Sequence, residues 1–366
     1  MTGPVVTGAS AVTALGRDLA TTRAALAVGR SAVLPVESPD LPDRTDHSPA
    51  ARIAAFTPEP EIPKMKARRL DRASQYAVVA ARQGIADAGY AMSGREERTG
   101  ILLGTGSAGA GPLVEMERQM ALESPDAASP FLFPYTVSNA PASVTAIELG
   151  IKGPNITITQ KDAAALNALF YGRMLLSDGR ADALLVGAAD EWNLQYHLAY
   201  ERLHATRTAR RSGFVLGEGA ACLVVEDEAA ARARGAAARA RVASVVMRPA
   251  ALSPQVRRAD AARLAEAMNA SLDEAGVPPA GVGIVHLSRN GVAATDDAEA
   301  AALAAVFPKP PPVAAVKEAI GENPFAGAVQ LALAVAALHE NPALGAVLVN
   351  AFGAGGNFMC AVLTRP

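Results

Sequence analysis

The feature that most constrains this chain is an alternation of short apolar runs with longer, alanine-rich segments of helical periodicity. The apolar runs predict seven strands, at residues 4–6, 101–103, 156–158, 183–186, 221–225, 283–287 and 346–349. The periodic segments predict four helices, at residues 70–88, 163–177, 260–275 and 327–338. Continuous apolar strands between helices are typical of a sheet that is buried on both faces. The sequence therefore predicts an α/β protein.

The chain has 366 residues, which is more than one minimal domain usually needs. We predict two halves, residues 1–235 and 236–366, because Ala/Arg-rich sequence over residues 228–252 leads into a new series of strands and helices. Residues 37–63 are rich in proline and charge, and they predict a surface loop.

Charge and cysteine content exclude several classes of protein. The 34 Lys and Arg residues nearly balance the 36 Asp and Glu residues, which argues against nucleic acid or an anionic membrane as the main partner. The sequence contains no apolar stretch of about 18 residues and no signal-peptide pattern at its start. Cys222 and Cys360 cannot supply a disulfide framework, and they suit a reducing compartment. We therefore expect a soluble, cytoplasmic protein.

Eight sequence blocks, in order, resemble the β-ketoacyl-ACP synthase family of the thiolase fold. They include the Asp-Arg-x-Ser-Gln core at residues 71–75, SPFLFPYTVSN at 129–139, the GPN block that begins at Gly153, and NAFGAGGN at 350–357. The resemblance covers nearly the whole chain. It implies a thiolase-like α/β fold, in which two similar halves form a layered α-β-α-β-α architecture.

The positions that carry catalysis in active synthases do not match. By this resemblance, Asp162 stands at the position of the nucleophilic cysteine, and Ser288 and Glu322 stand at the positions of the two histidines. Lys317 is retained from the motif that ends in the second histidine. These four residues are interpreted as a vestigial site without a catalytic residue.

The substitutions argue against condensation on chemical grounds. A Claisen condensation needs a thiolate to hold the growing acyl chain, and it needs histidines to stabilise the enolate. A carboxylate cannot store a thioester, and Glu322 would repel a developing enolate. Asp162 has three possible roles: a residue that stabilises a helix start, an ion-pair partner of Lys317, or a catalytic carboxylate.

A synthase relative without the cysteine and both histidines resembles the chain-length factor, or ketosynthase β subunit, of type II polyketide synthases. This resemblance implies a heterodimer with an active ketosynthase, an acyl tunnel at the interface, and an acyl carrier protein that brings a phosphopantetheine-bound acyl chain. It implies no metal and no organic cofactor. Two alternatives stay open, namely a rewired or decarboxylating ketosynthase homologue and a homodimeric acyl-binding pseudoenzyme.

The candidate tunnel residues come from two segments. Leu113, Met116 and Met120 have helical spacing in a region that resembles the family's gate on chain length, although a Leu/Met stripe at this spacing also fits ordinary core packing. Phe131 and Phe133 belong to a segment that approaches the partner's acyl pocket in the family. The resemblance also implies that the strand at residues 155–159 pairs across the pseudo-two-fold axis.

Overall fold

The computed structural model describes residues 3–37, 41, 46–249, 260–353 and 355–366. The strands are β1 Val5–Thr13, β2 Val33–Leu34, β3 Ala50–Ala51, β4 Thr99–Gly104, β5 Asn155–Ile158, β6 Ala183–Asp190, β7 Leu216–Gly217, β8 Gly219–Glu226, β9 Ala240–Pro249, β10 Val282–His286, β11 Val313–Ala314, β12 Ala346–Gly353 and β13 Asn357–Thr364. The α-helices are α1 Leu19–Ala27, α2 Lys64–Ala67, α3 Arg72–Asp87, α4 Ala110–Leu122, α5 Ala140–Leu149, α6 Ala164–Ser177, α7 Leu194–Arg202, α8 Glu228–Ala233, α9 Ala261–Ala275, α10 Ala293–Val306, α11 Lys317–Ile320 and α12 Pro324–Glu340. None of the helices in these ranges has the length and apolar character needed to cross a membrane.

Ten of the strands form one sheet, in the order β11-β10-β12-β13-β9-β1-β8-β6-β4-β5. The sheet consists of two five-stranded halves with the same topology. From the centre outward, each half has two antiparallel pairings followed by two parallel pairings. The halves meet where β1 pairs with β9 over two residue pairs, Val5 with Arg241 and Val6 with Ala240. The duplication is therefore visible in the strand order.

The helices divide the molecule into layers. Side chains of α6 and α12 pack in one apolar core with strands of both halves of the sheet, so these two helices form the central layer. Helices α3 and α5 cover the outer face of the first half, and α9 and α10 cover the outer face of the second half. The layered α-β-α-β-α fold predicted from the sequence is confirmed.

Helix α12 shows how the sequence produces the central layer. Its residues from Pro324 to Val335 are all buried, and this helix is apolar on every side. A helix that is hydrophobic all round is suited to burial, and its many alanines allow neighbouring elements to approach closely. A Cβ atom added at Gly327 would lie 3.4 Å from the Cβ atom of Ala165 on α6.

A buried carboxylate joins the two halves beside this layer. At the end of β6, Asp190 accepts hydrogen bonds from the amides of Gly106 at 2.7 Å and Ser107 at 3.1 Å, in the connection between β4 and α4. The same carboxylate accepts a bond of 2.9 Å from the amide of Phe325, in the first turn of α12. A negative charge is favourable at a helix N-terminus, so Asp190 fixes the start of α12 against the first half.

The seven predicted strands and four predicted helices are all present, with somewhat different bounds. The predicted surface loop at 37–63 is correct only in part. Residues 38–40 and 42–45 lie outside the described residues, but β3 and Ile62 are buried, and Phe56 packs edge-on against Tyr76 with ring centroids 4.7 Å apart. This segment therefore completes the core beside α3.

Candidate functional site

A cleft with a volume of about 220 Å³ lies where the central helices begin. Its walls come from the turn before α6, from α7 and the loop after it, and from the entry to α12. Of the four vestigial positions predicted from the sequence, Asp162 and Glu322 line this cleft, and Lys317 lies directly behind Glu322. The fourth, Ser288, lies at the end of β10, and its neighbour Asn290 lines the cleft instead.

Asp162 lies in a single turn of 3-10 helix, Lys161–Ala163, that leads into α6. No side chain caps the start of α6, so Asp162 does not act as a hydrogen-bonding N-cap. Among the residues that the structure describes, no ion pair within 4.0 Å includes Asp162. Its carboxylate instead lies close to the carboxyl group of Glu322 and interacts with it electrostatically.

Lys317 and Glu322 form a buried ion pair, in which Nζ lies 3.1 Å from Oε2. Burial opposes the charge on Lys317, but the carboxylates of Glu322 and Asp162 outweigh burial and raise the pKa of its ammonium group. Burial, and then the neighbouring charge of Asp162, raise the pKa of Glu322 well above its usual value, despite Lys317. The ammonium group of Lys317 therefore contacts Glu322 and interacts with Asp162 only at longer range, and burial favours a proton on Glu322.

Ser288 has a structural role. Its hydroxyl accepts a hydrogen bond from the amide of Phe352 at 2.9 Å, and its own amide donates to Glu299 at 2.9 Å. Asp296 accepts from the amides of Asn290 at 3.1 Å and Gly291 at 3.0 Å. Asp296 and Glu299 thus order the loop after β10, and burial raises the pKa of Glu299 to about 6.

The cleft also contains a buried carboxyl group, that of Glu191, which no sequence motif predicts. Glu191 is 5% exposed, and it accepts a bond from the amide of Gly111 at 2.8 Å. Burial, and then the negative charge of Asp71, raise the pKa of Glu191 to about 8. In the sequence, Glu191 is marked only by its place in an acidic pair, Asp190 and Glu191, at the end of an apolar strand.

Aromatic side chains form one wall of the cleft: Trp192, Tyr196, Tyr200 and Phe214. Tyr200 packs edge-on against Phe214, with ring centroids 5.2 Å apart. Lys161, which precedes Asp162, extends its ammonium group to this wall. Tyr196 and Tyr200 lie four residues apart on α7, whereas Trp192 and Phe214 come from the segments before and after this helix.

The two thiols of the chain lie away from the cleft. Cys222 on β8 and Cys360 on β13 are both buried, and burial raises the pKa of Cys222 to about 12. His286, which lies two residues before Ser288, is also buried, and burial lowers its pKa to about 4. Neither thiol nor this imidazole lines the cleft. The described residues contain no group of three or more His, Cys, Asp or Glu side chains that could hold a metal ion.

The predicted tunnel residues lie at the surface and do not line the cleft. Leu113, Met116 and Met120 are on α4, whose buried residues are Ala110 and Pro112. Leu113 is 38% exposed, whereas Met116 and Met120 are half-buried, so both packing within the chain and a place in a tunnel stay open for the stripe. In the segment between α4 and α5, the exposed fractions are 84% for Phe131 and 66% for Phe133. The assignment of these five residues to a tunnel stays a prediction.

Comparison with known families defines the class of protein. The sequence profile of the β-ketoacyl synthase N-terminal domain matches residues 4–231, and that of the C-terminal domain matches residues 233–344. The chain therefore belongs to the β-ketoacyl synthase family. The family predicted from the sequence is confirmed, while the exact boundary between residues 235 and 236 stays a prediction.

The individual similar proteins include synthases and ketosynthase/chain length factor structures. The 3-oxoacyl-[acyl-carrier-protein] synthase 2 of Staphylococcus aureus is 29% identical over 296 residues, which cover 75% of this chain and 72% of the relative. Over the full length of both chains, the structure of the ishigamide ketosynthase/chain length factor has a TM-score of 0.90 at 25% identity. The Xenorhabdus doucetiae ketosynthase ApeO in complex with its chain length factor ApeC has a TM-score of 0.79 at 19% identity, covering 100% of this chain and 98% of that chain. At 19% identity, the similarity to the ApeO–ApeC structure shows a shared fold and nothing about function.

Proposed function

We propose that this chain is a non-catalytic chain-length factor, which pairs with an active ketosynthase and shapes the acyl tunnel that sets polyketide chain length. One observation carries this proposal. At the start of α6, where the family resemblance expects the nucleophilic thiolate, the chain has Asp162 beside the buried Lys317–Glu322 ion pair.

The chemistry of this arrangement supports the loss of condensing activity. A covalent acyl intermediate needs a nucleophile that can later release the acyl group, and the cleft has no thiol. Stabilisation of an enolate needs hydrogen-bond donors or positive charge at the developing oxyanion. The carboxyl groups of Asp162 and Glu322 provide the opposite charge when they are ionised.

The surface around β5 supports a partner subunit. Strand β5 is the last strand of the sheet and pairs only with β4 among the described strands, so its other edge is open. An open strand edge is a ready template for pairing with another chain. Large apolar side chains are exposed on α4, on α5, in the segment between them and on α6: Leu113, Leu122, Phe131, Phe133, Val137, Ile147, Tyr171 and Met174.

An acyl tunnel at this surface fits the same residues. Obligate interfaces commonly bury more than about 2,000 Å² and are rich in apolar side chains. On this basis the exposed Leu113, Phe131 and Phe133 face the partner, together with the half-buried Met116 and Met120. The similarity to the ishigamide ketosynthase/chain length factor, at 25% identity, supports a ketosynthase as the partner.

Co-expression with a synthase that retains its cysteine and both histidines tests this proposal. Size-exclusion chromatography with light scattering is expected to show a stable 1:1 complex. Phe131→Asp is expected to weaken the complex at least tenfold. Val313→Asp is the matched control, since Val313 is 54% exposed on β11 at the opposite edge of the sheet. A well-behaved monomer that does not bind the synthase, or equal effects of the two variants, contradicts the proposal.

A second candidate, a decarboxylating synthase homologue, rests on the adjacent carboxyl groups of Asp162 and Glu322 and the raised pKa of Glu322. A carboxyl group that holds a proton near neutral pH can act as a general acid. The test is formation of acetyl-carrier protein from malonyl-carrier protein by this chain alone. Turnover that Glu322→Gln abolishes favours the second candidate. A homodimer in the absence of a synthase favours the acyl-binding pseudoenzyme.

A further inference from the structure

Lys161 has an unusual backbone conformation for its residue type. Its φ angle is 51°, and among the described residues only one other non-glycine residue, His204, has a positive φ. Side chains with a Cβ atom disfavour this left-handed region, because Cβ approaches the following carbonyl oxygen. Strain of this kind persists only where the surrounding structure imposes it, and it is concentrated at functional sites.

The side chain of Lys161 connects two walls of the cleft. Lys161 precedes α6, and its Nζ atom donates a hydrogen bond of 2.9 Å to the hydroxyl of Tyr200 on α7. The ammonium group lies at the hydroxyl edge of the Tyr200 ring, 5.5 Å from the ring centroid. Phe214 supports the tyrosine from a third segment. All three residues line the cleft.

The electrostatic environment keeps this contact in place. Partial burial disfavours the charge on Lys161, but the hydrogen bond to Tyr200 and the charge of Asp162 outweigh it and raise the pKa of the ammonium group. The lysine therefore stays charged at neutral pH and retains its hydrogen bond to the tyrosine hydroxyl.

The space that remains is small. Sites for drug-sized ligands typically enclose about 300–1,000 Å³, whereas this cleft measures about 220 Å³ with Lys161 in place. We infer that Lys161 is a latch that closes the vestigial cleft to acyl-pantetheine groups, so that the arm of a carrier protein cannot enter this subunit. The inference deepens the proposed function, since it explains how carrier-bound chains avoid the inactive site.

Thiol labelling at position 162 tests the latch. Asp162→Cys introduces a thiol in the cleft, while wild-type protein gives the background from the buried Cys222 and Cys360. Two reagents with the same reactive group are compared: bromoacetamide, and a bromoacetamide extended by a pantetheine arm. In both reactions the thiolate forms a C–S bond, the C–Br bond breaks, and bromide leaves. Intact-protein mass spectrometry measures the rate of labelling by each reagent. The same two reagents react with glutathione, whose thiol is fully accessible, to give the reference ratio of the two rates.

In Asp162→Cys, the ratio of pantetheine-reagent rate to bromoacetamide rate is expected to be at least tenfold below that of glutathione. Adding Lys161→Gly, which removes the side chain and tolerates a positive φ, is expected to raise the ratio at least tenfold. Tyr200→Phe removes the hydroxyl acceptor, and it is expected to raise the ratio about threefold by itself. Lys309→Gly, at an exposed lysine beside β11, is the matched control and is expected to leave the ratio unchanged.

A ratio equal to that of glutathione in Asp162→Cys overturns the latch. A ratio that neither Lys161→Gly nor Tyr200→Phe changes also overturns it, as does a thiol that stays unreactive to both reagents in all variants. The labelling needs neither a ketosynthase nor a condensation assay. If the labelling rates respond as expected but the chain forms no complex, the proposed function is refuted and the latch stands. If the complex forms but the cleft is open to the pantetheine reagent, the latch is refuted and the proposed function stands.

Discussion

Replacement of Glu191 by glutamine is expected to change the pH dependence of stability. The pKa of Glu191 rises from an ordinary 4.5 to about 8 in the folded chain, chiefly because the carboxyl group is buried. In the unfolded chain this group ionises near pH 4.5, so wild-type stability falls as pH rises through the interval between 4.5 and about 8. Glutamine preserves the shape and cannot ionise, so the variant lacks this loss.

The expected magnitude follows from the pKa in the folded chain. One pKa unit corresponds to about 1.4 kcal/mol of free energy. Between pH 5 and pH 7, linkage predicts that wild-type protein loses about 2.5 kcal/mol of unfolding free energy relative to Glu191→Gln. The neutral form is therefore the stable form of Glu191 in the folded cleft at pH 7.

Urea denaturation at pH 5, 6 and 7 measures this difference. Glu123→Gln is the matched control, because Glu123 is an exposed carboxyl group just after α4, and its stability difference from wild type is expected to stay constant over the same interval. A wild-type minus Glu191→Gln difference that is independent of pH refutes the argument that burial keeps Glu191 protonated.

Three further predictions concern the vestigial site and the surface near β5. Lys317→Met leaves Glu322 without its cation, so the free energy of unfolding is expected to fall by about 3 kcal/mol at pH 7.5. The loss is expected to be smaller at pH 5, because the raised pKa of Glu322 favours its neutral form increasingly as the pH falls; urea midpoints measure both values, and equal losses contradict the reasoning. Asp162→Asn is expected to leave the rate of product formation by the complex within twofold of wild type and to lower the free energy of unfolding by at most about 1 kcal/mol. If condensation falls by several orders of magnitude while the complex still assembles, Asp162 has a chemical role. Truncation of a tunnel residue is expected to lengthen the product at normal complex yield, as measured by mass spectrometry of the acyl chains; if no variant changes the length, the gate lies elsewhere. The variants are Met116→Ala, Met120→Ala and Phe133→Ala.

The fold could be predicted from the sequence because its determinants are local and repeated. The apolar runs that become β6 and β12 identify buried strands, and the alanine-rich segments that become α6 and α12 identify buried helices. Strands β2, β3, β7 and β11 have only two residues each and carry no periodic signal. Their positions depend on pairing across the fold, such as Ala50 with Leu216.

The candidate site could be predicted less completely. The family resemblance located Asp162 and Glu322, which line the cleft. The resemblance also identified Ser288, but the hydroxyl of Ser288 accepts a hydrogen bond from the backbone amide of Phe352 and does not line the cleft.

Residues that gain their role from tertiary structure could not be predicted in this way. Lys161 is one position from a family landmark, but its importance depends on a positive φ and on a tyrosine 39 residues away. Glu191 is distinctive because it is buried near Asp71, and burial of a single carboxyl group is not visible in a linear pattern.

The most direct test of the central claim is a condensation assay in which only one subunit can act. This chain, alone and in complex with a ketosynthase, is supplied with malonyl-carrier protein and an acyl-carrier protein, and β-ketoacyl products are measured by mass spectrometry. The account predicts no product from this chain alone, product from the complex, and none from a complex whose synthase carries alanine in place of its nucleophilic cysteine. A β-ketoacyl product from this chain alone, or from the complex with the alanine-substituted synthase, contradicts the account.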